Sequence, residues 1–233
     1  MKSHNNSNPT HIAIILDGNR RFAKRLMLKP WKGHEYGREK VEKLMDWVKE
    51  LGIKQLTFYA LSVENIKTRP KKELNYLLNL MGDAFKKLEK DSKPEKNKIK
   101  IRFIGNLSLL PKDLREQCKR LEKQTEKNKD YIINFCIAYG GRQEIIEAIK
   151  KIIKKKIKPE KINENIIKQN LYLQEEPDII LRTGGEVRTS NFLPFQSAYS
   201  EWFFIKKLWP EFDKKDLIKI IEEYKNRKRN FGK

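Results

Sequence analysis

Apolar residues are distributed along the chain in two alternating patterns. Short runs rich in β-branched and aromatic residues, at Ile12–Leu16, Gln55–Leu61, Lys100–Gly105, Tyr131–Tyr139, Asp178–Leu181 and Trp202–Ile205, predict six strands. Between them, apolar positions recur every three or four residues over Tyr36–Leu51, Lys72–Leu88, Pro111–Asn128, Gln143–Ile157 and Asp213–Lys228, the period of five helices with one packed face. Strands that alternate with helices build βαβ units. The expectation is an α/β fold: a mostly parallel six-stranded sheet wrapped by helices, with right-handed crossovers.

The segments that follow the strands carry the chemistry. Ile12–Leu16 runs into Asp17-Gly18-Asn19 and then Arg20 and Arg21, while Gln55–Leu61 runs into Ser62-Val63-Glu64-Asn65. Tyr131–Tyr139 ends on Gly140-Gly141-Arg142, and Asp178–Leu181 on Arg182-Thr183-Gly184-Gly185-Glu186. In a parallel sheet all carboxyl ends lie on one edge, where open α/β sheets bind their ligands. Four polar turns therefore converge on one rim, and their guanidinium forks suit phosphate oxygens.

At 233 residues and 38% hydrophobic content the chain can bury one substantial core, and no Pro-, Gly- or Ser-rich linker divides it. Residues 11–233 read as a single domain preceded by a flexible polar segment, residues 1–10. There is no signal-peptide core, no apolar run of membrane-spanning length, and only two separate cysteines, Cys118 and Cys136. The expected location is the cytoplasm, with contact to a membrane at most peripheral. The formal net charge of +21 raises nucleic-acid binding as an alternative. The lysines, however, sit off the apolar stripes: in 144–157, Ile145, Ile146, Ile149, Ile152, Ile153 and Ile157 make a packed stripe, and Lys150, Lys151, Lys154, Lys155 and Lys156 a solvated face. No zinc finger or RNP aromatic pair is present, so no nucleic-acid partner is expected; a basic surface suits anionic substrates and anionic lipids.

Several chemistries are excluded by missing motifs, since the chain has no P-loop, no GxGxxG, no GxSxG elbow and no HExxH. Of the three histidines only His34 is a site candidate. A metal would need oxygen ligands, chiefly Asp17 with Glu201, a set that suits Mg²⁺ bound together with substrate phosphates. Arg20, Arg21, Arg69, Arg182 and Arg188 all lie in or beside the turns, enough for one or two diphosphates.

The segments HIAIILDGNRRFAK, GHEYG, LTFYALSVEN, AYGGRQEI, IILRTGGEVRTSNFLPFQSAYSEWFF and LWPEF closely resemble the cis-prenyltransferases, the undecaprenyl diphosphate synthase family. The likeness runs from His11 to Gly232. It implies an enzyme that condenses isopentenyl diphosphate repeatedly, in cis, onto an allylic diphosphate primer (C10–C20) with Mg²⁺. It also implies a homodimer and a hydrophobic tunnel for the growing chain. No Asp-Asp pair occurs, so the DDxxD chemistry of the trans-type synthases is absent. Rival readings are a non-catalytic partner subunit of the same family, or a basic protein that binds RNA or membranes.

Carried over by motif, the resemblance makes Asp17 the essential aspartate that acts through Mg²⁺ on the allylic diphosphate. Gly18, Asn19, Arg20, Arg21 and Phe22 line that site, and His34 lies close to the diphosphates. Ser62, Val63, Glu64, Asn65 and Ile66 correspond to the SxEN segment, with Asn65 expected to orient groups rather than hold a proton. Arg69 follows in the next segment, with Lys67 a rival for its role. Arg182, Arg188, Thr189 and Ser190 form the isopentenyl diphosphate grip, and Glu201 is the second metal ligand, contributed across a dimer interface. The chain departs from the family pattern at Arg20, Phe22, Pro30, Ile66 and Val187. Two further expectations follow: Asp17 is a turn carboxylate that supports little packing, and Leu74, Leu77, Leu78, Met81 and Phe85 form a stripe that lines either the core or the tunnel.

Overall fold

The computed structural model describes residues 8–227, and its central strand shows why the sheet is parallel. β1 (His11–Ile15) is buried at every position because both faces are covered. Its odd and even residues serve two cores: Ile12 and Ile14 face one, Ala13 and Ile15 the other. β2 (Gln55–Ser62), β3 (Ile99–Ile104), β4 (Tyr131–Tyr139), β5 (Ile179–Arg182) and β6 (Glu201–Phe204) complete an all-parallel sheet of order β3-β4-β2-β1-β5-β6. The expected six strands are all present, each within one residue of its predicted bounds.

Helices α1 (Asn19–Arg25), α2 (Gly33–Glu50), α3 (Val63–Thr68), α4 (Lys71–Lys90), α5 (Lys93–Lys96), α6 (Lys112–Thr125), α7 (Gly141–Lys154), α8 (Glu164–Asn170) and α9 (Lys214–Asn226) connect the strands. The five long ones match the periodic segments; α1, α3, α5 and α8 span too few turns to leave a periodic signal. The predicted end of the last helix, Lys228, and residues 1–7 of the polar segment lie outside the described residues. The larger core packs α2, α4, α6 and α9 on one side of the sheet through Leu44, Leu77, Leu121 and Leu217. The isoleucine stripe of α7 is a correction. Ala148 and Ile152 are buried, but Ile146, Ile149 and Ile153 are exposed, so the stripe is only partly core.

α7 is fastened by a buried carboxylate. Glu144 accepts hydrogen bonds from the Tyr139 hydroxyl (2.5 Å), the Tyr172 and Leu173 amides (2.8 and 2.9 Å) and Gln196 Nε2 (3.1 Å). The AYGGRQEI segment is thereby given a structural role, tying the chain before β5 and the loop after it to the sheet.

The site's location follows from strand order. The chain leaves β1 toward β2 on one side, whereas β5 lies on the other, so the turns after β1 and β5 diverge and open a crevice between them. Register places Ile15 level with both Tyr59 and Arg182.

Candidate active site

Asp17 stands at this crevice. Thr183, fully buried, holds its backbone from both directions: its hydroxyl accepts from the Asp17 amide (3.1 Å) and donates to the Asp17 carbonyl (2.7 Å). The Asp17 carboxylate accepts from Arg182 Nη2 at 2.8 Å and more weakly from Arg21 Nη2 at 3.4 Å. Arg182 is almost wholly buried and spends its other terminal nitrogen on the Arg188 carbonyl (2.6 Å) and Ser190 Oγ (2.7 Å). One guanidinium therefore links the turn after β1 to the loop after β5. Asp17 is thus an anchored ion-pair partner, which corrects the expectation of a carboxylate that supports little packing.

Gly18 follows with φ +107°, and any Cβ there would lie 2.9 Å from Leu208. Only glycine makes this turn without strain. Asn19 is buried, donates to the Leu16 carbonyl (3.0 Å), and has no protein partner for Oδ1 among the described residues. Arg20 and Arg21 are exposed. Arg21 reaches Glu186 at 3.9 Å and Arg188 reaches it at 2.5 Å, so a single carboxylate sits between two arginines.

A second cluster assembles from α2, α3 and α4. Glu73, buried, accepts from Arg69 at 2.5 Å and lies 3.7 Å from Arg20 and 3.8 Å from His34. Arg69 also donates to His34 Nε2 at 3.3 Å; a guanidinium cannot accept, so this nitrogen is the lone-pair side of a neutral ring. Burial, with the Arg69 charge beside it, lowers the His34 pKa to about 4. Ser62 caps α3 by accepting from the Asn65 amide at 3.0 Å. That contact accounts for the serine at the cap; the donor is a backbone amide, so it does not select the asparagine.

Two cavities meet here. A polar pocket of about 360 Å³ is lined by Gly18, Arg20, Arg21, Glu186 and Arg188, and a larger one of about 840 Å³ runs between α2, α4 and the sheet. Leu16, Asp17, Asn19, His34 and Arg69 line both. Ser62, Glu64, Asn65, Arg182 and Ser190 stand with the larger cavity, whose depth is apolar through Met45, Leu77, Met81, Phe85 and Phe135. All five stripe residues of α4 belong to the core or pack against it, and Leu77, Met81 and Phe85 also line the cavity, which Leu74 and Leu78 do not reach.

Not every predicted residue joins. Val63 and Ile66 pack into the core, Phe22 lies edge-on to Tyr36 at 5.2 Å, and Thr189 is an exposed loop residue; none lines either cavity. Lys67 is exposed and also stays outside, leaving the position beside His34 to Arg69. Glu201 is level with Ile179 at the amino edge of the sheet, paired with Arg227 at 2.7 Å, so within this chain it does not meet Asp17. Conversely, sequence reading missed Glu73, Thr183 and Asn191. Asn191, in the left-handed region at φ 63°, accepts from the Arg142 amide (2.9 Å) and donates to Glu64 (2.9 Å), binding three turns together. Glu73 was legible as the i+4 partner of Arg69; nothing local announces Asn191.

The whole arrangement has counterparts. The family model for undecaprenyl diphosphate synthases matches residues 15–232. The chain belongs to the undecaprenyl diphosphate synthase family of cis-prenyltransferases. Proteins named tritrans,polycis-undecaprenyl-diphosphate synthase (geranylgeranyl-diphosphate specific) from Picrophilus torridus and Methanopyrus kandleri are 48% and 44% identical over 230 and 231 residues, covering 96% and 97% of this chain and 90% and 85% of theirs. Lavandulyl diphosphate synthase from Lavandula x intermedia, solved with dimethylallyl diphosphate, superposes with TM-score 0.92 at 32% identity over 97% of this chain and 99% of that one. A probable undecaprenyl diphosphate synthase from Campylobacter jejuni superposes at 0.83 with 36% identity over 98% and 100%. As a cis-prenyltransferase the chain is a transferase of isoprenoid synthesis.

Two histidines, His11 buried and His34 largely enclosed, set an acid limit on this prenyltransferase. His11, hydrogen-bonded to Thr57 Oγ1 at 2.8 Å inside the sheet, also has its pKa lowered to about 4 by burial. Each ring is ordinarily protonated near 6.5 but resists protonation while folded. The two contribute nothing above that pH, and stability falls as pH drops from 6.5 toward 4, by about 3 kcal/mol per ring in full. Melting temperatures between pH 8 and 4 should show this decline beginning above the carboxylate range. A His11→Gln/His34→Gln variant should be flatter between pH 6.5 and 5; parallel slopes would assign the decline elsewhere.

Proposed function

We propose that this enzyme elongates an allylic diphosphate by successive cis additions of isopentenyl diphosphate, yielding a long polyprenyl diphosphate used as a lipid-carrier precursor. One observation carries the reading: the arginine-lined pocket and the apolar cavity share a wall made of Asp17, Asn19, His34 and Arg69. A diphosphate held in the first presents its hydrocarbon tail to the second. Breaking the allylic C–O bond leaves concentrated negative charge on diphosphate; Arg69, held by Glu73, is a fixed donor where it accumulates, and the exposed Arg20 and Arg21 line the same pocket. Arg188 and Ser190 would hold the second diphosphate, placing the isopentenyl double bond near the allylic carbon. Asn65 lines the cavity and orients what passes it.

Mg²⁺ is the expected cofactor, and Asp17 fits a site of one carboxylate completed by diphosphate oxygens and water. When bound, the ion would neutralise diphosphate charge. Glu201 could join such a site only from another protomer. The exposed Ile146, Ile149 and Ile153 of α7 support a homodimer. No helix among the described residues is long and apolar enough to cross a membrane.

The names of the relatives from Methanopyrus kandleri and Picrophilus torridus, geranylgeranyl-diphosphate specific, point to a C20 allylic primer. Labelled isopentenyl diphosphate offered with C10, C15 and C20 primers should be incorporated fastest with C20, lose incorporation with EDTA and regain it with Mg²⁺. Absence of incorporation with every primer would favour the non-catalytic partner subunit.

Product length is expected to respond to the cavity. Ala84 lies on its wall between Met81 and Leu88. Ala84→Trp should fold and release shorter products, read by chromatography of the dephosphorylated prenols, whereas Leu78→Trp, on the core side, should cost about 1–3 kcal/mol and leave product length alone. Unchanged products from a folded Ala84→Trp would detach this cavity from the growing chain.

A further inference from the structure

The segment from Lys24 to Pro30 is exposed at every one of its seven positions, yet three of them are large and apolar. Met27 is 95% exposed, Leu26 45% and Leu28 39%. Packing does not explain them. Nor does backbone geometry, since α1 closes in a Schellman motif in which the Leu28 amide bonds the Ala23 carbonyl (2.9 Å) and the Met27 amide bonds the Lys24 carbonyl (3.0 Å). This motif sets Met27 at φ 56°, a left-handed position that glycine occupies without strain and methionine does not. A flexible apolar side chain thus protrudes into solvent from the position where folding alone would favour glycine.

Its surroundings are basic and aromatic. Arg25 pairs with Glu211 at 2.9 Å and Lys32 with Glu35 at 2.8 Å, while Lys24 makes no ion pair among the described residues and Lys29 lies over the Trp31 ring, 5.6 Å from its centroid. Trp31 leans on Tyr76 at 6.5 Å, and the exposed Tyr36 carries Phe22 at 5.2 Å. Amphipathic rings with lysines around an apolar tip match the layering of a membrane interface: headgroup phosphates outside, acyl chains beneath. The chain's net charge of +21 supplies long-range attraction to an anionic surface.

We infer that the tip Leu26-Met27-Leu28 inserts into an anionic lipid bilayer, with Lys24 and Lys29 meeting the headgroups. A second copy of the chain is the poorer occupant. A protruding tip of three residues is far smaller than the roughly 800 Å² per partner that a stable interface buries. The tip closes α1, whose first turn supplies Arg20 and Arg21 to the polar pocket, so bilayer docking would bring that pocket toward the surface that receives a long prenyl product. The inference itself does not depend on the reaction, because lipid binding needs no substrate.

The test is sedimentation of the full chain with vesicles of phosphatidylcholine alone and of phosphatidylcholine mixed with phosphatidylglycerol, in moderate salt. Wild type should bind the mixed vesicles and bind neutral ones much less. Met27→Gly should weaken that binding by about tenfold, as loss of one inserted side chain requires, with an unchanged or higher melting temperature. Lys24→Gln/Lys29→Gln should weaken binding to mixed vesicles by about fivefold per lysine. Equal binding by wild type and a folded Met27→Gly would overturn the inference, as would equal binding to both vesicle types. A change of oligomeric state in Met27→Asp, read by analytical ultracentrifugation without lipid, would assign the tip to a second copy and overturn it too.

Discussion

Replacing Asp17 with alanine is expected to lower prenyl transfer more than a hundredfold, the scale on which one electrostatic contributor to a transition state acts. The loss has two parts. The carboxylate itself disappears from the wall shared by the two cavities, and Arg182, buried beneath it, loses a 2.8 Å partner. The second part carries a stability cost of about 1–3 kcal/mol, the usual penalty for a buried donor left without its acceptor. Asp17→Asn separates the two, because its amide oxygen still accepts from Arg182 while the charge is gone. Activity should fall as far in Asp17→Asn as in Asp17→Ala, with the melting temperature recovered. If the asparagine variant turns over normally, Asp17 is an anchor for Arg182 and nothing more.

The second large effect belongs to Arg182. Its motif suggests a grip on isopentenyl diphosphate alone, shared with Arg188. The geometry divides them: Arg182 is buried and simultaneously holds Asp17, the Arg188 carbonyl and Ser190, whereas the Arg188 side chain is 60% exposed and meets Glu186. Arg182→Ala should therefore impair kcat and both substrate KM values together, by at least a hundredfold in kcat/KM, since one deletion loosens two turns. Arg188→Ala should chiefly raise the KM for isopentenyl diphosphate, and Arg182→Lys should rescue little because an ammonium cannot span three acceptors in that fork. Steady-state kinetics varying each substrate in turn will decide. Selective loss for isopentenyl diphosphate in Arg182→Ala would return Arg182 to the single-pocket role.

These two residues show where sequence reading succeeds and where it stops. A strand that is apolar throughout, followed by Asp-Gly-Asn-Arg-Arg, can be recognised because strand burial and turn chemistry are local: both depend on residues adjacent in the chain. The same holds for the capped start of α3 at Ser62, and for Gly18, whose φ only glycine adopts freely. The six strands, their parallel direction and the rim that gathers the turns all follow from such local patterns combined with crossover handedness.

Pairings across the sheet are different. Arg182 meets Asp17 from 165 residues away, and Glu64 meets Asn191 from 127 away. Whether Ile149 on α7 is core or surface depends on what lies above it, and the helical period alone assigned it to the core. Strand register sets Glu201 at the opposite edge of the sheet from the Asp17 of its own chain, a placement that no motif announces. Six strands, five long helices, the site's edge and the residue types suited to a diphosphate could be read locally, because these rest on short-range backbone preference and on the period of burial. Tertiary structure alone decided which arginine is buried under Asp17, which face of α4 borders the cavity and which predicted residues stay outside it, because strand order and register bring together groups that no local pattern connects.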